Sequence, residues 1–360
     1  MPKRSKSSPT KEHRELLIIY LGKRGGGSHF TIELCSSLLE YQEQKVFKVV
    51  VSSSNLNKIA FHDLGVQTIQ IQLNSTRDKL RLILKAIFRA NKLMQDFGVK
   101  QNSVIIAPMV NPFDLVPIWQ FRKRGVKIIR VIHDAKKHPG DLWPGRLTIR
   151  AMMRHSDNIV TLSKSVAKEL PSPHKAKIVI TKIPAFQSIT QANIRDIQVR
   201  EEYALIIGRI KRYKGIEVLL SAWSIFESKS NLQLVIAGEG QLPRITEKRI
   251  KVINRWLEEG EMHQLIQGAK FVVFAYQETS QSGLIPVAMA YAKNILITPL
   301  NGLVEQVTNY NSAFICEGFS AKEIADGLVA INSWGATTTI YEPQIGDNWV
   351  EPILSLISKY

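Results

Sequence analysis

Apolar residues in this chain gather into short unbroken runs, each followed by a polar turn and then by a segment of helical period. Such runs fall at 16–21, 47–51, 69–73, 104–107, 127–132, 158–161 and 177–180, and again at 203–207, 232–237, 251–254, 271–275, 294–298 and 313–316. Runs of this length without alternation predict strands buried on both faces. Their regular exchange with helical segments predicts parallel sheets covered by helices on both sides, an α/β fold. Over 186–201 the pattern dissolves into a polar, aperiodic linker. The expected organisation is a flexible basic tail at 1–15, one parallel-sheet domain at 16–185, the linker, a second such domain at 202–340, and a closing segment at 341–360. In that segment Trp349, Ile353, Leu354 and Ile357 share a helical face suited to packing back toward the first domain.

Ligands of open parallel sheets sit beyond the carboxyl ends of the strands, so the turns after the runs carry the candidate chemistry. The turn after 203–207 holds Gly208, Arg209, Lys211, Arg212 and Lys214 before a helix whose apolar face begins at Ile216. Backbone N–H groups and the positive end of a helix there, with the charges of Arg209 and Lys214, suit a multiply charged anion such as a diphosphate. A solvated basic turn is the competing reading. Ser282, Gly283 and Leu284, opening another helix after 271–275, would present amides to the same cleft. Gly238, Glu239 and Gly240 form a further bare turn. In the first half, Gly25, Gly26 and Gly27 precede a plausible helix cap at Ser28. They lack the Lys-Ser/Thr pair of a Walker loop and the spacing of a dinucleotide site, and a merely tight turn explains them equally well. His133 and Asp134 end a central strand, where an imidazole donates into a cleft and a carboxylate fixes its tautomer. His138, Pro139, Gly140 and Asp141 follow shortly. Asn111 and Asp114 read as a helix cap rather than a substrate contact.

Charge changes the picture by its placement. The chain carries +17 overall, but residues 1–195 hold 33 Lys+Arg against 13 Asp+Glu, whereas residues 196–360 hold 15 against 18. One half therefore faces a polyanion: nucleic acid, an anionic membrane, or phosphorylated substrate. Nucleic acid is disfavoured, since no recognition motif or interleaving of aromatic and basic residues occurs. The segment 77–94 is a helix with Leu80, Ile83, Leu84, Ile87 and Met94 along one face and Arg77, Arg81, Lys85, Arg89 and Lys92 along another. Such a helix lies on an anionic membrane, or packs its apolar stripe on its own sheet and exposes the cations. Cys35 and Cys316 form no metal or redox spacing, which suits a reducing compartment. The basic tail has no apolar leader, and no run reaches the ~18 residues that span a bilayer.

With these residues placed, the chain resembles a glycosyltransferase of the GT-B fold, similar to family 4, the retaining enzymes that use nucleotide-activated sugars. The resemblance rests on G-R-x4-K-G at 208–215, VIAGEG at 235–240, QSGLIPVAMAYAKNILITPLNGLVE at 281–305, the glycine turn at 25–27 and the His133-Asp134 pair. It implies two Rossmann-like domains facing each other across a cleft. It also implies transfer of a hexose-type sugar from a UDP- or GDP-sugar to a polysaccharide or lipid-linked acceptor, with retention and without metal or other cofactor. Such an enzyme would be cytoplasmic, with peripheral attachment to the inner face of the cell membrane as an extension of the charge pattern. Arg209 and Lys214 would hold the donor diphosphate beside the amides of Ser282, Gly283 and Leu284, with Gly208 and Glu239 in the same site. His133 would meet the donor sugar near the reacting carbon, and Gly25, Gly26, Gly27 and Asp134 would approach phosphate or acceptor. One departure stands out: where many members carry Glu-x7-Glu, Ser280 and Val287 fall at or near those positions, and Glu278 lies two residues early. The chain resembles a subgroup with a Gln-Ser-Gly turn, which leaves the ribose contact and the role of Glu278 open. A non-catalytic subunit that binds a nucleotide sugar or a partner enzyme is the alternative.

Overall fold

The computed structural model describes residues 14–41, 47–137, 145–171, 177–185, 197, 199–245, 249–335 and 348–360. Most of the expected tail and linker, the turn at 138–141 and residues 341–347 lie outside these. The first sheet is built from β1 (Leu16–Tyr20), β2 (Phe47–Ser52), β3 (Gln67–Ile71), β4 (Val104–Ala107), β5 (Lys127–Ile132), β6 (Asn158–Thr161) and β7 (Ile178–Ile180). The second comprises β8 (Tyr203–Ile207), β9 (Gln233–Ala237), β10 (Ile250–Ile253), β11 (Phe271–Phe274), β12 (Asn294–Ile297) and β13 (Ala313–Ile315). Each predicted run becomes a strand. The largest offset is at β3, an edge strand that starts at Gln67 because an edge need not be buried along its whole length.

All pairings are parallel, in the orders β3-β2-β1-β4-β5-β6-β7 and β10-β9-β8-β11-β12-β13. Both sheets reverse direction next to their first strand, between β1 and β4 and between β8 and β11. Side chains of β1 and β8 are buried at every position, as two helical layers require. The crevices at the two reversals are the natural ligand sites of such sheets.

The closing helix Glu351–Ser358 buries Ile353, Leu356 and Ile357. Just before it, the Trp349 ring lies 5.4 Å from Phe30, and its carbonyl accepts from the Thr181 hydroxyl. Tyr360 donates its hydroxyl proton to the Asn158 side-chain oxygen, so the last residues contact the first domain.

Asp114 departs from the expected cap. It makes no side-chain bond to the helix Leu115–Lys123, and its carboxylate turns inward to Arg130 of β5, 3.1 Å away, both side chains being 1% exposed. Asn111 instead accepts from the Phe113 amide at 2.9 Å, holding the turn before that helix. Burial pushes the Asp114 carboxyl up to about 6 even though the Arg130 cation opposes the shift. A buried pair of this kind is strongly destabilising when one member is removed and near neutral when both become apolar. Asp114→Ala is therefore expected to lower the unfolding free energy by about 3–5 kcal/mol in urea titration, with Asp114→Leu/Arg130→Met recovering most of the loss.

Candidate functional site

The turn after β8 leaves the sheet at the second reversal. Gly208 and Gly215 have φ of +100° and +69°, a region that strains residues with a Cβ. A Cβ on Gly215 would stand 1.9 Å from the Ala275 carbonyl oxygen, and one on Gly208 2.7 Å from Lys214 Nζ. These two positions let the turn fold flat against the end of β11 and draw Lys214 beneath it. Lys214 closes the 3-10 turn Arg212–Lys214 and is buried. Its Nζ donates to the Ile207 carbonyl at 3.1 Å and sits 5.1 Å from the centroid of the Tyr276 ring. Burial lowers its pKa to about 8; Tyr213 pulls it back up and Arg209 lowers it further. A carbonyl and a ring face do not neutralise an ammonium, and neither Lys214 nor the exposed Arg209 has a carboxylate within ion-pair distance among the described residues.

Both cations line a cavity of about 260 Å³ between the domains. The cavity also collects Gly25, Gly26, Gly208, Glu239, Ser282, Gly283 and Leu284 from the residues singled out in the sequence. Gly26 faces open space, whereas a Cβ on Gly27 would come within 3.0 Å of Met109 and Tyr20, so Gly27 serves the packing of helix on strand. The Ser282 amide is already bonded to Gln306 Oε1 at 2.8 Å, and Gln306 Nε2 returns a bond to the Ser282 carbonyl at 2.9 Å. Gly283 and Leu284 then head the helix Leu284–Ala290, where amides lack intrahelical acceptors.

His133, Asp134 and Glu278 do not line the cavity. The His133 ring packs edge-on against Phe30 at 4.7 Å. Its Nε2 lies 2.8 Å from the Pro108 carbonyl, which only accepts, so that nitrogen carries the proton. Burial lowers the His133 pKa, favouring the neutral ring. The strand end meets the second domain through other atoms: Gln281 Nε2 donates to the His133 carbonyl at 3.0 Å, and Ser280 Oγ donates to Asp134 at 2.5 Å. Glu305 reinforces this junction by accepting from the Lys164 and Ser165 amides at 2.6 and 3.0 Å, capping a first-domain helix from the second domain. Glu278 is exposed.

The cavity-lining Trp256, Glu259, His29 and His263, and the partners Arg24 and Tyr291 that hold them, escaped the sequence reading. Arg24 lies over the Trp256 ring at 4.5 Å and bonds to Glu239 at 3.4 Å, joining the first-domain glycine turn to two second-domain loops. His29 Nδ1 faces Glu259 at 3.2 Å, and His263 pairs with Tyr291 at 2.9 Å. Gln281 Oε1 is buried without a hydrogen-bond partner among the described residues. Among the described residues no group of three His, Cys, Asp or Glu is placed to hold a metal ion.

Residues 201–333 match the family described as Glycosyl transferases group 1. None of the curated proteins compared with the chain matches it. Among solved structures, a glycosyltransferase from Rickettsia africae superposes with TM-score 0.69 at 14% identity, covering 97% of this chain and 98% of that one. Anabaena HepE in complex with UDP and glucose gives 0.65 at 13%, covering 96% and 95%. A putative UDP-N-acetylglucosamine 2-epimerase from Listeria monocytogenes gives 0.66 at 11%, covering 96% and 97%. At such identities the likeness defines the fold: this chain has the GT-B architecture, two Rossmann-like sheets facing a cleft, and its second domain is related to group 1 glycosyl transferases.

With its lowered pKa, Lys214 is expected to hold any anion in a pH-dependent way. A bound anion favours the protonated amine, so affinity is retained below about 8 and lost as pH rises through it. Calorimetric titration with UDP is expected to show affinity falling toward about tenfold per pH unit above that point, with proton uptake on binding near pH 8. Lys214→Arg should abolish the proton uptake.

Proposed function

We propose that this protein transfers a hexose-type sugar from a nucleoside diphosphate sugar to a polysaccharide or lipid-linked saccharide, with retention of configuration and without a divalent metal. The observation that carries this reading is a buried ammonium without a carboxylate partner, Lys214, beside the exposed Arg209 in one interdomain cavity at the sheet reversal. Departure of a nucleoside diphosphate develops negative charge on its phosphates, and fixed cations stabilise that charge without reorganising at the moment of reaction. Arg209, Lys214 and the Gly283 and Leu284 amides take this role in place of a metal ion.

The cavity-lining carboxylates, Glu239 and Glu259, already face Arg24 and His29. With no cavity-lining carboxylate left unengaged among the described residues, we assign a front-face displacement assisted by the leaving phosphate. His133 acts from its backbone: its carbonyl orients Gln281, while the neutral ring sets the end of β5 against Phe30. Anabaena HepE, of the same fold, was solved with UDP and glucose, which supports a nucleotide-sugar donor here. A binding subunit without turnover is the second reading, favoured by Ser280 and Val287 near the positions of the Glu motif and by Ser280 being bonded to Asp134.

A panel of UDP- and GDP-sugars separates the two. Release of nucleoside diphosphate that is insensitive to EDTA, and that falls about a hundredfold or more in Lys214→Ala, is expected for the transferase. Thermal stabilisation by a donor without release, even with lipid-linked acceptors, would establish the binding subunit. Loss of activity with chelator would rule out the metal-free mechanism.

A further inference from the structure

The helix Thr76–Phe88 does not pack the face expected of it. Its contacts to the core are made by Leu82 and Ala86, which are buried. The wider apolar stripe is turned to solvent: Leu80, Leu84, Ile87 and Phe88 are 56%, 44%, 47% and 77% exposed. Together with Arg77 and Arg81 these residues recur at spacings of three and four, so they form one continuous face about 16 Å long. Arg89 follows at the end of the helix. Arg77, Arg81 and Arg89 form no ion pair among the described residues, whereas Lys85 and Lys92 are held by Asp96. The helix's own carboxylate, Asp78, is bonded to Ser75 in a capping box, with attraction to Arg81 the smallest of its stabilising contacts.

A row of large apolar side chains left in water is unfavourable, and it marks a surface that is covered in use. Several partners cover apolar faces, but the charge restricts the choice. Guanidinium groups flanking an apolar row, on the half of the chain that carries the whole positive excess, complement a surface with an anionic plane above a hydrocarbon layer. No helix among the described residues is long and apolar enough to cross a membrane, so contact of this kind is made in the plane of the interface.

We propose that this face is a docking surface for an anionic lipid bilayer. Leu80, Leu84, Ile87 and Phe88 enter the boundary between headgroups and acyl chains, and Arg77, Arg81 and Arg89 bind lipid phosphates. The proposal is independent of the transferase reading, because the face shares no residue with the cavity.

The test is sedimentation of the full chain with vesicles of phosphatidylcholine containing about one third phosphatidylglycerol, and with phosphatidylcholine alone. Binding is expected on the anionic vesicles and at least about tenfold weaker on the neutral ones. Each arginine removed should weaken partition about fivefold, so Arg77→Gln/Arg81→Gln/Arg89→Gln loses about a hundredfold. Leu84→Ser/Phe88→Ser should also release the protein while leaving donor binding and thermal stability unchanged. If that variant misfolds, the arginine variant, which exchanges polar for polar at exposed positions, decides alone. Undiminished binding in the variants, which would trace it to another basic segment such as 1–15, overturns the proposal. So does a concentration-dependent dimer that Leu84→Ser/Phe88→Ser dissociates.

Discussion

The proposed site depends on keeping one lysine charged where water is scarce. Lys214 lies under the turn that leaves β8, with its ammonium against the Ile207 carbonyl and the Tyr276 ring. Burial without a counter-charge penalises the protonated form, which is why its pKa falls to about 8 from 10.5. Its folded pKa lies below its unfolded one, so this lysine opposes folding at neutral pH, and the opposition relaxes as pH rises through about 8 toward 10.5. A structure that tolerates such a group gains nothing from it until an anion arrives. In the proposed donor site the same low-dielectric setting makes attraction to a diphosphate stronger than an exposed lysine would supply.

The rest of the second domain is arranged so that this placement is possible. Gly215 must lack a side chain because Ala275 passes directly over it, and that contact ties the reversal strands β8 and β11 together at their ends. The 280–282 segment then leaves β11 and reaches both ways. Ser280 and Gln281 bond to the end of β5 in the first domain, and Ser282 bonds to Gln306 within the second. Gly25, Gly26 and His29 form the opposite wall, and Arg24 beside them bonds to Glu239. The cavity is thus an interdomain object, and its geometry responds to how the two sheets are held.

The architecture was legible because the inner strands are runs of buried residues with no alternation, a pattern that a two-sided parallel sheet produces, whereas the edge strands β3, β7, β10 and β13 are only partly buried. The placement of Arg209, Lys214 and the 282–284 turn on one cavity was legible because each lies in a segment between such a strand and the next helix. What side chains do beyond that point was not. His133 sits at the predicted strand end, yet its ring turns to Pro108 and only its carbonyl reaches the junction. His29 meets Glu259, and Arg24 meets Trp256, only across the boundary between the two domains, and no local spacing encodes that. The helix at 76–88 misled for a different reason: it is apolar over most of its circumference, and the small residue Ala86 with Leu82, rather than the larger Leu80 and Leu84, faces the core.

The central claim is that Lys214 meets the phosphates of a nucleoside diphosphate. A phosphorus NMR titration of UDP at pH 7 tests it directly, by comparing the native chain with Lys214→Met, which keeps the apolar stem and removes the charge. Both phosphate resonances should shift and broaden with the native protein and stay at their free positions with the variant, whose fold is checked by its thermal transition. Equal shifts in a folded Lys214→Met protein would contradict the account.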